Sequence, residues 1–448
     1  MGNGLDTIFK AYDVRGVYPD EIDEDIARRI GNAFAVFTGA ERLVVAYDMR
    51  PSSVPLSAAF IEGATMAGAS VVDAGLASTD LIYFAAGRLD APGAMFTASH
   101  NPAQYNGIKL CKAGAAPVGQ DTGLNQIKAA VAEGRLERAG TAGTVEKHSL
   151  IDDFAAHVRS FVDVDRLAPM TVVADTANGM GGLVVPRVFD GLPFDLTILF
   201  PELDGTFPNH PADPIQAENL RDLQAAIREK RADVGLAFDG DADRVFLVDD
   251  QAEPLSGSLT TSIVAKGILA ANAGETVVHN LICSRAVPDI IREMGGTPVR
   301  TRVGHSFIKA VMAETGAIFG GEHSGHYYFR DNWRADSGII AALVVLEQLS
   351  AAGVPLSELR KPFERYAASG EINTKVADQE AAMEKVAAAY ADAPKDTLDG
   401  LSVDAGEFWF NVRPSNTEPL LRLNLEANDA DACARATDEV LALIRGEA

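Results

Sequence analysis

At 448 residues, 47% hydrophobic and 23% charged, the chain exceeds what one core supports and should divide into several domains of about 100–150 residues. A net charge of −24 argues against a nucleic-acid partner, whose phosphates need clustered Lys and Arg, so a phosphorylated small molecule would have to be met by local cationic pockets. Cys111, Cys283 and Cys433 lie far apart and lack CxxC spacing, which predicts reduced thiols, no zinc motif and a cytoplasmic setting.

The N-terminus lacks a basic segment followed by an apolar stretch, so no targeting or membrane segment is expected there. "FKAYDVRG" places Tyr12 and Arg15 early. Then "RLVVAYD", "PLSAAFIEGATMAGA", "SVVDAGL", "TDLIYFAAGRL" and "GAMFTAS" alternate short β-branched runs with amphipathic ones, as βαβ units do. A second round opens at "MTVVADTANGMGG" and closes at "ADVGLAF"; a third runs from "ETVVHNLICS" through "AVPDIIREMGG" to "GAIFGGEHSGHYYF". "GIIAALVVLEQL" is the longest apolar helix pattern, and Glu347 breaks it short of the roughly 20 residues a membrane span needs. After "KPFERYAASGEINTKV" come one Ala-rich helix, "DQEAAMEKVAAAYA", two strand-like runs, "GEFWFNV" and "LLRLNLEA", and a closing helix, which reads as a smaller α+β domain. The expected divisions are 1–150, 151–252, 253–366 and 367–448.

Four loops between these elements offer chemistry. In "TASHNPAQYNGIKL", Ser99 stands between an apolar run and a His-Asn-Pro turn, with Lys109 ten residues on. Serine needs an activating neighbour to act as a nucleophile, which His100 or Lys109 would supply, although Ser and Asn before Pro also form ordinary turns. In "FDGDADRVFLVDD", Asp239, Asp241 and Asp243 recur at every second position between two apolar runs. A turn there can converge three carboxylates on one hard cation such as Mg²⁺. An EF-hand is excluded, because its sixth and twelfth positions would be Arg244 and Asp250 instead of Gly and Glu. "GGEHSGHYYF" sets Glu322, Ser324 and His326 on alternate positions, which in extended backbone share one face and would hold adjacent sugar hydroxyls. "RPSNTEP" gathers Arg413, Ser415, Asn416 and Thr417, a guanidinium with hydroxyl and amide donors suited to a phosphate. His305, in "RVGHSFIK", is a weaker candidate.

Taken together and in this order, "FKAYDVRG", "TASHNP", "DGDADR", "GEHSGH" and "RPSNTEP" resemble the α-D-phosphohexomutase family from about Phe9 to Pro419. The last two look most like its phosphomannomutase and phosphoglucomutase branch, since the phosphoglucosamine branch usually has Gln at His323 and Gly at Asn416. The resemblance implies an α/β fold of three related domains and a smaller C-terminal α+β domain around a central cleft. It implies that Ser99 carries a phosphoryl group and, with Asp239, Asp241 and Asp243, holds Mg²⁺. His100, Lys109, Arg15 and Arg244 would surround the transferring group. Tyr12, His305, Glu322, Ser324 and His326 would bind the sugar, and Arg413, Ser415, Asn416 and Thr417 its other phosphate.

The expected activity is interconversion of mannose 1-phosphate and mannose 6-phosphate through a 1,6-bisphosphate, with glucose phosphates also accepted; phosphoglucomutase and phosphoglucosamine mutase are the alternatives. Expected partners are hexose phosphates and the bisphosphate, with no nucleic acid or membrane, in a monomer or homodimer. A phosphatase using the same serine and metal is the main rival from another class. A sugar-phosphate sensor would have no use for a serine beside a three-carboxylate loop. Three positions depart from the family pattern: Ala98 and Ala242 replace glycines, which strains the chain if φ is positive there, and Ile282 stands about where dual-specificity relatives have lysine.

Overall fold

In the computed structural model, residues 4–415 and 420–447 are described, and their strands form four sheets. The first has Arg42–Tyr47 at its centre, parallel to Ser70–Leu76 on one side and Gly93–Phe96 on the other, with Tyr105–Cys111 returning antiparallel beside Gly93–Phe96. The short strand Val14–Val17 adds antiparallel to Tyr105–Cys111 and sets Arg15 opposite Gly107. In the second sheet Met170–Asp175 lies between Phe194–Leu199 and Val234–Phe238, and Val245–Asp249 folds back antiparallel. In the third, Thr276–Asn280 lies between Thr297–Thr301 and Phe319–Gly321, and Tyr327–Phe329 folds back.

One topology thus recurs three times. The first strand pairs with the second and third in parallel, and a fourth closes a hairpin on the third. The third strands, such as "GAMF" and "VGLAF", are buried along their whole length. Strands covered on both faces need no polar alternation, which is why they read as continuous apolar runs. The hairpin loops at residues 97–104, 239–244 and 322–326 occupy equivalent places, and they carry "TASHNP", "DGDADR" and "GEHSGH". The resulting fold is α/β, with a smaller fourth domain.

That fourth domain differs in detail from the two strand runs visible in sequence. It has a five-stranded antiparallel sheet, ordered Ala367–Lys375, Leu420–Ala427, Phe408–Pro414, Leu401–Asp404 and Lys395–Asp396, with the helices Gln379–Ala389 and Ala430–Arg445 packed on it. Ala367–Lys375 escapes an apolar-run reading because it is an edge strand of half-buried and exposed residues with a register shift between Ala368 and Glu371. The helix Gly338–Ala352 is buried over most of its length, packed against Gly257–Ala271. Its apolar composition is that of a core helix; among the described residues no single helix is long and apolar enough to cross a membrane.

Candidate active site

Ser99 is 6% exposed and adopts a left-handed backbone with φ 50°. Its Oγ donates to Asp239 Oδ2 at 2.7 Å and lies 3.2 Å from His100 Nδ1. Arg244 donates from Nη2 to His100 Nδ1 and, at 3.4 Å, to Ser99 Oγ. Since a guanidinium has no acceptor, His100 Nδ1 receives that bond and its proton is on Nε2. Burial, with Arg244 and Arg15 adding like charge, pushes the His100 imidazole down to about 2, so it is neutral. Arg15 donates to Asn101 Oδ1 at 2.7 Å and pairs with Asp13, which places it at the rim of the same loop. Domain contact here is close: a Cβ on Gly240 would stand 2.4 Å from the Ser99 carbonyl oxygen.

Asp239, Asp241 and Asp243 are all buried, and one carboxylate oxygen from each lies within 4.8 Å of the others. Lys109 Nζ bridges Asp241 and Asp243, 2.7 Å from each. Burial alone would lower the lysine, but the two carboxylates hold it well above its ordinary value. Burial likewise raises Asp239 to about 8 despite Arg244, whereas Lys109 overcomes burial at Asp241 and holds that carboxylate below its usual range. Asp241 Oδ1 and Asp243 Oδ1 are buried without a hydrogen-bond partner. Three hard oxygen donors, two of them orphaned, fit a magnesium ion. Ala242, between them, has φ 60°, whereas Ala98 is not in the left-handed region. The strain that alanine brings therefore falls on the acidic loop alone, on the order of 1–2 kcal/mol.

The third loop corrects one expectation. Residues 322–326 form a tight turn, closed by Glu322 N–H to His326 O at 3.0 Å, and are not extended backbone sharing a face. The hairpin between Phe319–Gly321 and Tyr327–Phe329 demands that turn. Glu322 is 2% exposed and accepts from Tyr328 Oη at 2.6 Å and from the Gly304 N–H at 3.0 Å. Ser324 Oγ pairs with His326 Nδ1 at 2.9 Å, and His326 Nε2 lies 3.8 Å from Asp243, so this loop meets the acidic one. His305 opens the helix His305–Thr315, with the Tyr12 ring 4.8 Å away; burial and the Lys309 charge push it down to about 3. A cavity of about 680 Å³ joins Tyr12, Arg302 and Phe307 to Arg413, Ser415 and Arg422 of the fourth domain. Arg413 donates to Glu371 Oε2 at 2.6 Å, and Asn416 and Thr417 lie outside the described residues. Ile282 lines a separate cavity of about 290 Å³ with His323 and Trp409.

Sequence reasoning missed three residues that hold this arrangement together. Thr79 binds Asp241 twice, through Oγ1 to Oδ2 at 2.5 Å and through N–H to the carbonyl at 3.0 Å. Lys309 pairs with Asp336 at 2.8 Å while its Nζ lies 3.9 Å from the Tyr83 ring centroid. Arg50, fully buried, contacts the backbone around Ser99. Its available signal was its place just after a parallel strand, where α/β proteins put functional groups.

The chain matches the phosphoglucomutase/phosphomannomutase family in four successive parts: alpha/beta/alpha domain I over residues 6–138, domain II over 151–252, domain III over 256–366 and the C-terminal domain over 371–443. It is 41% identical over 445 residues to the phosphohexose mutases of Xanthomonas campestris, covering 98% of this chain and 99% of the relative. It is 39% identical to an Escherichia coli phosphomannomutase over 452 residues, covering 98% and 99%. A phosphoglucomutase/phosphomannomutase family protein from Burkholderia thailandensis, known by crystal structure, superposes with a TM-score of 0.89 at 32% identity, covering 99% of this chain and 98% of the other.

Proposed function

The chain belongs to the phosphoglucomutase/phosphomannomutase family, a family of phosphohexomutases, and on that premise we propose that it interconverts mannose 1-phosphate and mannose 6-phosphate, and also acts on glucose phosphates. The observation that carries the reading is the Ser99 hydroxyl, 2.7 Å from a buried carboxylate and within reach of Arg244.

In the resting enzyme Ser99 Oγ bears a phosphoryl group. A sugar hydroxyl attacks it; the new P–O bond forms, the bond to Ser99 Oγ breaks, and the hydroxyl proton passes to a side-chain base. The 1,6-bisphosphate turns around, and its other phosphate returns to Ser99. Asp239, Asp241 and Asp243, with phospho-Ser99, are the residues that would hold Mg²⁺, which when bound supplies positive charge against the phosphoryl oxygens. Arg15 and Arg244 neutralise further charge. Lys109, kept protonated by its two carboxylates, would return a proton as a general acid. His100 is a poor base here because its Nδ1 lone pair is occupied by Arg244. Glu322 and Ser324 hold the 3- and 4-hydroxyls, Tyr12, His305 and His326 flank the ring, and Arg413, Ser415, Asn416 and Thr417 grip the remote phosphate.

Division of the chain at 1–150, 151–252, 253–366 and 367–448 is supported by the four sheets, each of which falls within one of these limits. The three cysteines are free and buried, which supports a cytoplasmic setting; the enzyme would work there on hexose phosphates as a monomer or homodimer. Relative kcat/KM for mannose, glucose and glucosamine 1-phosphates tests the substrate assignment. No residue assigned here reads C2, so mannose and glucose should differ by no more than about 10- to 200-fold, and the glucosamine compound, which also differs from glucose only at C2, serves as the control. A mannose-to-glucose ratio beyond about 10⁴ would contradict this account of the site.

A further inference from the structure

Arg50 follows the strand Arg42–Tyr47, and its side chain has no exposure. Every N–H of its guanidinium is used. Nε donates to Asp48 Oδ2 at 3.2 Å; Nη1 donates to the Pro102 and Tyr105 carbonyls at 2.8 and 3.0 Å; Nη2 donates to the Ser99 and Asn101 carbonyls at 2.8 and 2.6 Å. Asp48 is itself fixed, accepting from Ser53 Oγ at 2.6 Å and from the Arg50 N–H at 3.0 Å. The second domain closes over the group: the Phe207 ring centroid is 5.1 Å from Cζ, and Gly205 packs so tightly that a Cβ there would lie 2.5 Å from Arg50 Cα. Gly240, beside Asp239, abuts the same Ser99 carbonyl.

A serine with φ 50° persists only where its surroundings over-determine it. The four carbonyls that Arg50 gathers span residues 99–105, the whole turn that presents the hydroxyl to Asp239. A planar fork with five donors can satisfy this set, whereas a lysine ammonium, with three donors on one atom, cannot reach it. We infer that Arg50 is the positioning residue for Ser99: it fixes the nucleophile loop against the metal-binding loop of the second domain, and so sets the alignment of phosphoryl transfer without touching substrate. This rests on the phosphoserine mechanism proposed above.

The test is single-turnover phosphorylation of Ser99 by glucose 1,6-bisphosphate in the full-length protein with Mg²⁺, read by intact mass, beside calorimetric binding of the same bisphosphate to unphosphorylated protein. Wild-type protein that gains no phosphate on Ser99 would overturn the mechanism itself. With wild type competent, Arg50→Lys should phosphorylate about 100-fold more slowly, the scale of a misplaced reacting group, while binding stays within about threefold. A phosphorylation rate within threefold of wild type, or binding that falls as far as the rate, would overturn the positioning role. If Arg50→Lys does not fold, Phe207→Leu decides, since it removes only the ring above the guanidinium. A threefold to tenfold slower phosphorylation with unchanged binding supports the role, and an unchanged rate or an equal loss of binding overturns it.

Discussion

Ser99, Asp239 and Lys109 show how one residue's chemistry is written by its neighbours. Three carboxylates within 4.8 Å would repel, and the chain answers with two cations, the half-buried Lys109 across Asp241 and Asp243 and the buried Arg244 on Asp239. The charges that stay unmatched point at Asp241 Oδ1 and Asp243 Oδ1. Asp241→Asn replaces a ligand charge by a neutral amide, so Mg²⁺ affinity measured by calorimetric titration should fall at least about tenfold. An unchanged affinity would remove Asp241 from the metal site. These residues were legible because their signal is local: a serine before a turn, carboxylates at every second position. Thr79 and Lys309 were not, because each acts on a partner far away in sequence and an isolated Thr or Lys carries no pattern; Arg50 offered only its place after a strand, and its partners too lie about the distant Ser99 turn.

At the scale of elements, the three α/β sheets put chemistry at one place, the hairpin after the third strand. The strand runs themselves were readable from their apolar continuity. Three rounds of the same element order were readable too; the identical strand pairing within them was not, since a topology tolerates many different apolar sequences at these positions. Nor was the turn at 322–326, where alternate spacing suggested extended backbone. Burial on both strand faces has a cost where a titratable group is included. His279, 5% exposed in Thr276–Asn280, is pushed by burial down to about 4. Below its ordinary 6.5 the unfolded chain takes a proton that the native strand refuses until about pH 4. Its neutral form therefore lends stability that is complete above 6.5 and declines as pH falls toward 4, by about 2 kcal/mol at pH 5. His279→Gln should accordingly lose less melting temperature than wild type between pH 7.5 and pH 5; an equal acid shift in both would show that His279 does not contribute.

At the scale of the whole molecule, the loops of the first three domains meet through Ser99–Asp239 and His326–Asp243, and a cavity joins Tyr12 and Arg302 to Arg413 and Arg422 of the fourth, although each domain has its own sheet. Net charge of −24 and a phosphate substrate are compatible because cations gather at these two places: Arg15, Arg244 and Lys109 around the Ser99 and acidic loops, and Arg302, Arg413 and Arg422 at the cavity. Arg413 is held by Glu371; in the role proposed for it, gripping the remote phosphate, it would align the reacting one, so that binding energy serves catalysis. Arg413→Ala should then lower kcat about tenfold or more as well as raise KM for mannose 1-phosphate; a raised KM with kcat intact would make Arg413 a ground-state contact only. A mutase differs from a phosphatase built on the same serine only in where the phosphate ends. The most direct measurement is therefore a ³¹P NMR time course of mannose 1-phosphate with the protein, Mg²⁺ and a trace of hexose 1,6-bisphosphate. The account predicts conversion to mannose 6-phosphate with no accumulating inorganic phosphate, and no conversion with Ser99→Ala; growth of inorganic phosphate in its place, or undiminished conversion by Ser99→Ala, would contradict it.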